Sequence, residues 1–355
     1  MLRVAMSRAA TRESTNNQRL ASMIDPSDPV LAYQSLQPGD ILTAVESLGF
    51  RCDGRLLALN SYENRVYQVG IEGESPVVVK FYRPGRWSDA AILEEHSFTH
   101  ELAEQEIPVV APLARNGTTL HTSGLFRFSV SPCHGGRAPE LDDTKLQQQL
   151  GRLVARIHCC GELTSFAERP TLDIDSFGYA PHAYLLDNGF IPGDLEAAYD
   201  SIADHLFTNI EACFERAAPT RLLRIHGDFH PGNVLVQEQQ LHIVDFDDTR
   251  MGPAVQDIWM FLSGDRNEQT PQLEKLLEGY EEFRHFDARE LYLVEALRTL
   301  RIIHYAAWLA RRHEDPAFQV AFPWFNTRRY WDEHVLSLRE QAALMEEPPL
   351  SWVSF

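Results

Sequence analysis

The sequence predicts an α+β protein with two lobes, a small N-terminal lobe on a five-stranded sheet with one helix and a larger, mainly helical C-terminal lobe. Short β-branched and aromatic segments cluster between residues 55 and 130, and most later segments show helical spacing of apolar residues. The chain is also long enough, because 355 residues with 44% hydrophobic content can bury two cores. We therefore expect two lobes that share a cleft.

The N-terminal strands are predicted from apolar runs separated by polar turns. From about Leu56 to Tyr82 the runs are RLLALN, NRVYQVGI and PVVVKFY. A helix is expected over about residues 88–105, with Ser88 as its N-cap. Two short strands, at about 118–122 and 125–130, complete the sheet.

The C-terminal lobe is predicted to follow a turn-rich hinge, residues 131–136. A hairpin of VLVQ and LHIVDFD interrupts an otherwise helical region. The helices are expected at Asp143–Cys160, Leu195–Ala217, about Pro271–Phe283, Ala288–Arg312 and Asn326–Glu346.

The charge balance limits the class of partner. With 32 Lys and Arg against 51 Asp and Glu, the formal net charge is −19, which disfavours a nucleic-acid surface. An acidic surface either favours cationic substrates or simply keeps the protein soluble. The 5 cysteines show no CxxC spacing, so we expect neither a disulfide framework nor a zinc site, and a reducing compartment.

The strongest chemical signal is HGDFHPGNVLV, residues 226–236, followed by IVDFDD, residues 243–248. Phosphoryl transfer needs a group that positions the attacking hydroxyl and oxygen ligands for a metal that neutralises phosphate charge. Asp228, Asn233 and Asp245 supply these groups in the required order. An isolated HxD means little, but the whole pattern is rare by chance. It predicts a magnesium-dependent phosphotransferase that uses ATP and has a kinase-like fold.

Each of these side chains has an expected role. Asp228 is predicted to accept the proton of the acceptor hydroxyl, and Asn233 to offer a neutral oxygen to magnesium. Asp245 is predicted both as a catalytic residue and as a metal ligand, because its carboxylate can bridge metal and phosphates. His226 is expected to brace the loop through backbone hydrogen bonds, and the role of His230 stays open.

Asp257, in GPAVQDIWMF, begins an apolar helical stretch. Its carboxylate either interacts with the helix dipole or accepts backbone N–H bonds from the loop around Asp228. Both roles are structural, so Asp257 is not among the predicted catalytic residues.

Lys80 lies at the end of the apolar strand VVVKFY, where an unpaired ammonium is costly to bury. We predict that it contacts the α- and β-phosphates of the nucleotide and pairs with a glutamate of the next helix. Of Glu94 and Glu95, we prefer Glu95, because the apolar face that includes Phe98 places it nearer the sheet. An exposed lysine at a strand end is the alternative.

The first hairpin, residues 60–65, should cover the phosphates. It reads NSYENR rather than the glycine-rich GxGxxG, which disfavours a conventional protein kinase without excluding nucleotide binding. Ser61 offers a hydroxyl that could contact phosphate, and a plain polar turn is the alternative reading.

The segments NSYENRVYQ, VVVKFYRPGRW, ILEEHSF, HGDFHPGNVL, VDFDD and GPAVQDIWM together resemble the stress response kinase A family of bacterial serine/threonine protein kinases. That family belongs to the aminoglycoside phosphotransferase and choline kinase-like superfamily. The resemblance covers about residues 33–350 and implies a bilobal, protein-kinase-like fold and ATP-dependent phosphorylation of proteins under stress. It matches Asp228 to the proton acceptor, Asn233 and Asp245 to magnesium ligands, and Ser61 to an ATP contact.

The resulting organisation is a nucleotide-binding lobe at residues 31–131, a hinge at 132–136 and a catalytic, acceptor-binding lobe at 137–355. Residues 1–30 lack an apolar run and are expected to be a disordered extension, with Met23 as a candidate start. The expected partners are ATP, Mg²⁺ as cofactor and a protein with a Ser/Thr acceptor. We expect a cytoplasmic monomer that binds neither nucleic acid nor membrane.

Two alternatives remain open. A small-molecule kinase acting on an amino alcohol, aminoglycoside or sugar would use the same residues, and it would enclose Asp228 in a pocket of carboxylates if its substrate is an amine. A non-catalytic nucleotide-binding scaffold is disfavoured because Lys80, Asp228, Asn233 and Asp245 are all present. The segment LVEALRTLRIIHYAAWLARR is expected to be an amphipathic core helix with arginines on its solvent face.

Overall fold

The computed structural model describes residue 33, residues 36–238 and residues 240–352. The predicted extension, residues 1–30, lies outside the described residues. The chain divides into two compact units. The first holds the described residues up to His96 together with Ala111–Cys133, and the second holds Ser97–Val110 and the described residues from His134 onward. The lobe and hinge boundaries drawn from the sequence stay a prediction.

The first unit is built on a five-stranded antiparallel sheet with strand order β1-β2-β3-β5-β4. The strands are β1 Cys52–Ala58, β2 Arg65–Ile71, β3 Val77–Phe81, β4 His121–Ser123 and β5 Phe126–Pro132. The five predicted strands are therefore confirmed, although β4 starts later than expected. This unit also contains two helices. Helix α1, Pro38–Glu46, was not predicted. Helix α2 is Asp89–Glu104, and its residues up to His96 belong to this unit.

The alternation of side chains along strand β3 determines on which face of the sheet Lys80 lies. Val77, Val79 and Phe81 are buried, whereas Val78 and Lys80 are half-buried, because successive side chains of a strand point to opposite faces. The buried side chains belong to the hydrophobic core of this unit. Lys80 therefore occupies the other face of a central strand of the sheet.

The second unit is mainly helical, as predicted. After the end of α2, its helices are α3 Thr144–Gly161, α4 Ala180–Asp187, α5 Glu196–Ala217, α6 Gln256–Trp259, α7 Arg266–Glu281, α8 Val294–Ala310, α9 Pro316–Ala321 and α10 Arg328–Glu346. A π-helical turn, Asp175–Tyr179, precedes α4, and a 3₁₀ turn, Ala288–Leu293, precedes α8. One hydrophobic cluster includes Phe229, Ile243 and Tyr280, and a second includes Ile303 and Trp331.

Two short strand pairs place the functional loops side by side. The pairs are antiparallel: β6 Leu223–Ile225 with β9 Arg250–Gly252, and β7 Val234–Gln237 with β8 Gln240–Ile243. Residues 226–233 run from β6 to β7, and residues 244–249 run from β8 to β9. Because Ile225 lies opposite Arg250 and Val234 lies opposite Ile243, the two loops connect the same ends of the two pairs. The register of the two strand pairs thus makes residues 226–233 and residues 244–249 neighbours.

Helix α7 begins at Arg266 rather than at about Pro271. The side chain of Asp265 caps its first turn, and Glu268 completes a capping box with the backbone of Asp265. Pro271 lies inside the helix at its sixth residue, where it cannot donate the backbone bond to the carbonyl of Asn267.

The cysteines Cys52, Cys133, Cys159, Cys160 and Cys213 are free thiols. Within residues 36–238 and 240–352, no helix has both the length and the apolar character that a bilayer span requires.

Candidate active site

The loop of residues 226–233 is held by Asp257. One carboxylate oxygen, Oδ2, accepts the backbone N–H of His226 at 2.7 Å, and Oδ1 accepts that of Gly227 at 2.9 Å. Oδ2 also lies 3.2 Å from Nε2 of the buried His158. Asp257 is only 1% exposed, so these bonds form away from water. The sequence left two structural roles open for Asp257. The structure shows the second, in which its carboxylate accepts backbone N–H bonds from the loop of residues 226–233.

Gly227 permits a close approach between the two motif segments. Its φ is +85°, in the left-handed region that favours glycine. A Cβ atom at this position would lie 2.3 Å from the carbonyl oxygen of Asp248. The glycine of HGD is therefore required both by its backbone conformation and by the space available.

His226 joins the same two segments. Its ring is buried, and Nε2 lies 3.0 Å from the carbonyl oxygen of Val244. Because a carbonyl oxygen only accepts, Nε2 carries the proton. Val244 directly precedes Asp245, so His226 ties the loop that carries Asp228 to the segment that carries Asp245. This is the bracing role expected from the sequence.

The carboxylate of Asp228 lies between two donors. Oδ1 is 2.6 Å from Nη1 of Arg301, and Oδ2 is 3.5 Å from Nε2 of His230. Nδ1 of His230 accepts the N–H of Gly232 at 3.0 Å, which leaves the ring proton on Nε2, facing Asp228. Burial alone would raise the pKa of Asp228, but the hydrogen bond from His230 and the charge of Arg301 hold it well below its usual range. Asp228 is therefore ionised at neutral pH.

Asn233 and Asp245 present oxygen atoms suited to a hard cation. Nδ2 of Asn233 donates to the backbone oxygen of Asp228 at 2.9 Å, which turns its own Oδ1 the other way. Asp245 has left-handed backbone angles, φ 62° and ψ 65°, and is exposed. In the part of the chain that the structure describes, no group of three or more His, Cys, Asp or Glu could hold a metal. Two oxygen donors completed by water and phosphate fit Mg²⁺ rather than zinc.

The predicted nucleotide contacts lie in the first unit. Nζ of Lys80 is 3.6 Å from Oε1 of Glu95, and their side chains are 15% and 6% exposed. Glu94 is half-buried, whereas Glu95 is buried, so the helical spacing correctly indicated which glutamate turns inward. Nζ of Lys80 also lies 5.4 Å from the ring centroid of Tyr82. These contacts fix the ammonium on its strand.

The connection between β1 and β2, which contains Ser61, is pinned without glycine. The backbone N–H of Arg83 donates to Oδ1 of Asn64 at 3.1 Å, and Nε of Arg83 donates to the carbonyl oxygen of Glu63 at 3.0 Å. The hydroxyl of Tyr33 donates to the same carbonyl at 3.3 Å. Hydrogen bonds from Arg83 and Tyr33, which lie outside the turn, thus hold this connection in place.

Arg301 is the contact that the sequence did not reveal. It lies on α8, where the arginines were expected on a solvent face, but its guanidinium reaches Asp228. The Arg301 side chain is 41% exposed, as expected for that face, but α8 also passes beside the loop of residues 226–233, and this contact was not expected. Helical periodicity cannot show which distant loop a half-exposed arginine contacts.

Glu290 supports the segment that carries Asp257. Its Oε2 accepts the backbone N–H of Val255 at 2.8 Å, and the residue is 3% exposed. Burial raises the pKa of Glu290 to about 7, although the backbone bond from Val255 and the charge of Arg284 oppose this.

We expect this carboxyl group to make stability depend on pH. Because its pKa rises from 4.5 in the unfolded chain to about 7 in the fold, its contribution is fully present below pH 4.5 and is lost as the pH rises to about 7. Glu290→Gln keeps a backbone acceptor but cannot ionise. Urea unfolding at pH 5 and pH 8 should show a smaller loss of stability in the variant than in the wild type. Equal losses in the two proteins would contradict this account.

Known proteins resemble this chain over most of its length. A model of the phosphotransferase enzyme family matches residues 55–293. Stress response kinase A of Escherichia coli (strain K12) is 44% identical over 318 residues, which cover 90% of this chain and 96% of that protein. A protein of Salmonella typhimurium named serine/threonine protein kinase RdoA is 42% identical over 323 residues, covering 91% of this chain and 98% of its own length.

Solved structures share the fold at low sequence identity. Amicoumacin kinase hAmiN, in complex with AMP-PNP and Ca²⁺, superimposes with a TM-score of 0.65 at 17% identity, covering 88% of this chain and 94% of that one. Spectinomycin phosphotransferase APH(9)-Ia, in complex with ADP and its antibiotic, gives a TM-score of 0.63 at 17% identity, covering 88% and 99%. These likenesses confirm the two-lobed α+β, kinase-like fold.

Proposed function

The chain belongs to the phosphotransferase enzyme family and, within it, to the stress response kinase A proteins, and from this membership we propose that it transfers the γ-phosphoryl group of ATP to Ser or Thr hydroxyls of proteins. That it is a phosphotransferase with a kinase-like fold follows from the family. The protein acceptor is supported by one observation above all: a relative named a serine/threonine protein kinase matches 91% of this chain.

In this proposal Asp228 orients the acceptor. Its ionised carboxylate accepts a hydrogen bond from the incoming hydroxyl and aims the oxygen at the γ-phosphorus. Phosphoryl transfer passes through a loose transition state, so a strong base is not needed, and the proton moves to Asp228 as the new O–P bond forms. The lowered pKa of Asp228 keeps the carboxylate ionised, which suits a group that positions the hydroxyl.

Asn233 and Asp245 are proposed to hold Mg²⁺. The hydrogen bond from Asn233 to the backbone of Asp228 presents the amide oxygen as a ligand, and the left-handed backbone of Asp245 projects its carboxylate from the end of β8. When bound, Mg²⁺ would neutralise the negative charge of the phosphates. His226, which bonds the carbonyl before Asp245, keeps the two ligand-bearing segments in register.

Lys80, Glu95 and Ser61 are proposed to bind the nucleotide. Lys80 would contact the α- and β-phosphates, and the ion pair with Glu95 orients its ammonium. The Ser61 hydroxyl would contact phosphate from the pinned β1–β2 connection. We place the protein in the cytoplasm as a monomer acting in a stress response, and its free thiols suit that reducing compartment.

The charges beside Asp228 support a protein acceptor over a cationic small molecule. A site for an amino alcohol or aminoglycoside needs carboxylates around the acceptor hydroxyl, yet among the described residues the side chains that pair with the carboxylate of Asp228 are Arg301 and His230. Arg301 is 41% exposed, so the position is open rather than enclosed. A cation next to the base would repel an amine substrate.

An acceptor panel tests this proposal. Purified protein with Mg²⁺ and γ-labelled ATP is incubated with generic protein acceptors, amino alcohols, aminoglycosides and sugars, and kcat/KM is compared across the panel. We expect transfer to serine or threonine of protein and weak transfer to the amines. Efficient transfer to a small molecule, with none to protein, would replace the proposal by a small-molecule kinase.

A further inference from the structure

Arg301 holds Asp228 through a single hydrogen bond. A guanidinium has five N–H donors, and within the described part of the chain Arg301 donates one of these bonds, from Nη1 to Oδ1 of Asp228 at 2.6 Å. The two side chains are 41% and 26% exposed. A contact of this kind is weaker than the bidentate pair that an arginine forms with a well-placed carboxylate. An incoming carboxylate could therefore displace it.

The pairing also opposes catalysis. While Oδ1 of Asp228 accepts from Arg301, that oxygen keeps a second lone pair, but the pairing makes it a weaker acceptor for a substrate hydroxyl. His230 contacts the other oxygen, Oδ2. Both oxygens of the carboxylate thus have a donor before any acceptor arrives.

Two other arginines, Arg250 and Arg298, are paired with carboxylates near them in sequence. Arg250 is paired with Asp248 at 2.7 Å and is only 6% exposed. Arg298, one turn before Arg301 on α8, is paired with Glu295 at 3.1 Å. Arg301 is thus the arginine that α8 offers to a ligand approaching Asp228.

We propose that Arg301 recognises an acidic residue next to the acceptor Ser or Thr, and that this exchange of carboxylates releases Asp228 to receive the hydroxyl. The inference rests on the proposed function and names its substrate class: peptides with Glu or Asp beside the phosphorylated residue. In the reaction the hydroxyl oxygen bonds the γ-phosphorus, the bond to the β-phosphate oxygen breaks, and the proton goes to Asp228. Arg301 acts as a specificity residue that turns the base on when the correct substrate binds.

The same face of α8 continues as an aromatic platform. Tyr305 and Trp308 follow Arg301 at helical spacing, with ring centroids 5.6 Å apart and an interplanar angle of 12°. Tyr305 is 42% exposed.

Kinetics on three serine peptides, identical except for Glu, Ala or Lys beside the serine, tests the inference. The acidic residue is placed on either side of the serine in turn. We expect the wild type to prefer a Glu peptide over the Ala peptide by at least about tenfold in kcat/KM, and Arg301→Ala to lose that preference. Arg301→Lys keeps the positive charge but lacks the planar guanidinium with its five donors, so this variant should retain part of the preference for Glu.

A further readout separates this role from a structural one. In Arg301→Ala the loss of kcat/KM should be confined to the Glu peptide, so that the Glu and Ala peptides converge, whereas a structural defect would lower kcat/KM for all three peptides alike. Arg329→Ala, on α10, is the matched control, since Arg329 is 87% exposed and its ion pair within the described residues is with Glu333, one turn away. It should keep the wild-type preference.

The outcomes distinguish this inference from the proposed function. A wild type that phosphorylates all three peptides equally, or an Arg301→Ala variant that keeps the preference for Glu, overturns the role of Arg301 and leaves the protein kinase intact. A wild type that phosphorylates no peptide or protein but does phosphorylate an amine overturns both.

Discussion

Asp228→Asn is expected to lower kcat by about 10²–10⁴-fold while ATP still binds. The amide keeps the size of the side chain but cannot take the proton, and it presents only one acceptor oxygen. Steady-state transfer from γ-labelled ATP and nucleotide affinity by calorimetry measure the two effects separately.

The loss should not arise from unfolding. Arg301, the partner left behind, is 41% exposed and can be hydrated, so removing the negative charge should change stability little. Asp332→Asn on α10 is the control, because it also removes a carboxylate that pairs with an arginine, Arg328 at 3.0 Å. It should leave kcat unchanged. Undiminished turnover in Asp228→Asn would sink the assignment of Asp228.

Asp257→Ala is expected to reduce both stability and activity. The change leaves the backbone N–H groups of His226 and Gly227 without their acceptor in a buried position, and each unsatisfied donor costs about 1–3 kcal/mol. The loop that carries Asp228 then loses its anchor, so kcat should fall even at temperatures where the variant stays folded. Urea unfolding and kinetics at low temperature measure the two effects.

Asp257→Asn should lie between the wild type and Asp257→Ala in both stability and kcat, because its single carbonyl oxygen can accept from one of the two amides. Asp265→Ala is the matched control: Asp265 also accepts two backbone N–H bonds, from Asn267 and Glu268, but it is exposed at the start of α7. It should cost about 1 kcal/mol as a lost helix cap and leave kcat unchanged. If Asp257→Ala matched this control in both measurements, Asp257 would not anchor the loop.

The sequence was informative wherever the chemistry is local. HGDFHPGN places Asp228 and Asn233 on one short loop, and the alternation of VVVKF puts Lys80 on the opposite face from its buried neighbours. Helical spacing was likewise enough to choose Glu95 as the inward residue. The roles of these residues in binding ATP and Mg²⁺ stay predictions.

What the sequence could not provide is contact between distant segments. Arg301 and Asp228 are 73 positions apart, and Arg301 belongs to a helix whose pattern indicates only an amphipathic packing face. The anchoring role of Asp257 stayed open for the same reason. The strands β6, Leu223–Ile225, and β9, Arg250–Gly252, are too short to show a period, yet their pairing aligns the two motif segments.

The acidic composition takes on a different meaning in this account. The net charge of −19 suggested a cationic acceptor as one possibility, but the group that contacts Oδ1 of Asp228 is an arginine. A local cation on an acidic protein favours an acceptor that brings its own negative charge. Bulk charge describes solubility, whereas the site is described by its nearest side chains.

The most direct test of the central claim is mass spectrometry of a protein acceptor incubated with ATP and Mg²⁺, with wild type and Asp228→Asn in parallel. The account predicts phosphoserine or phosphothreonine with the wild type and at least about 100-fold less with the variant. Phosphate found on no hydroxyl side chain of the protein, or found equally with both enzymes, would contradict it.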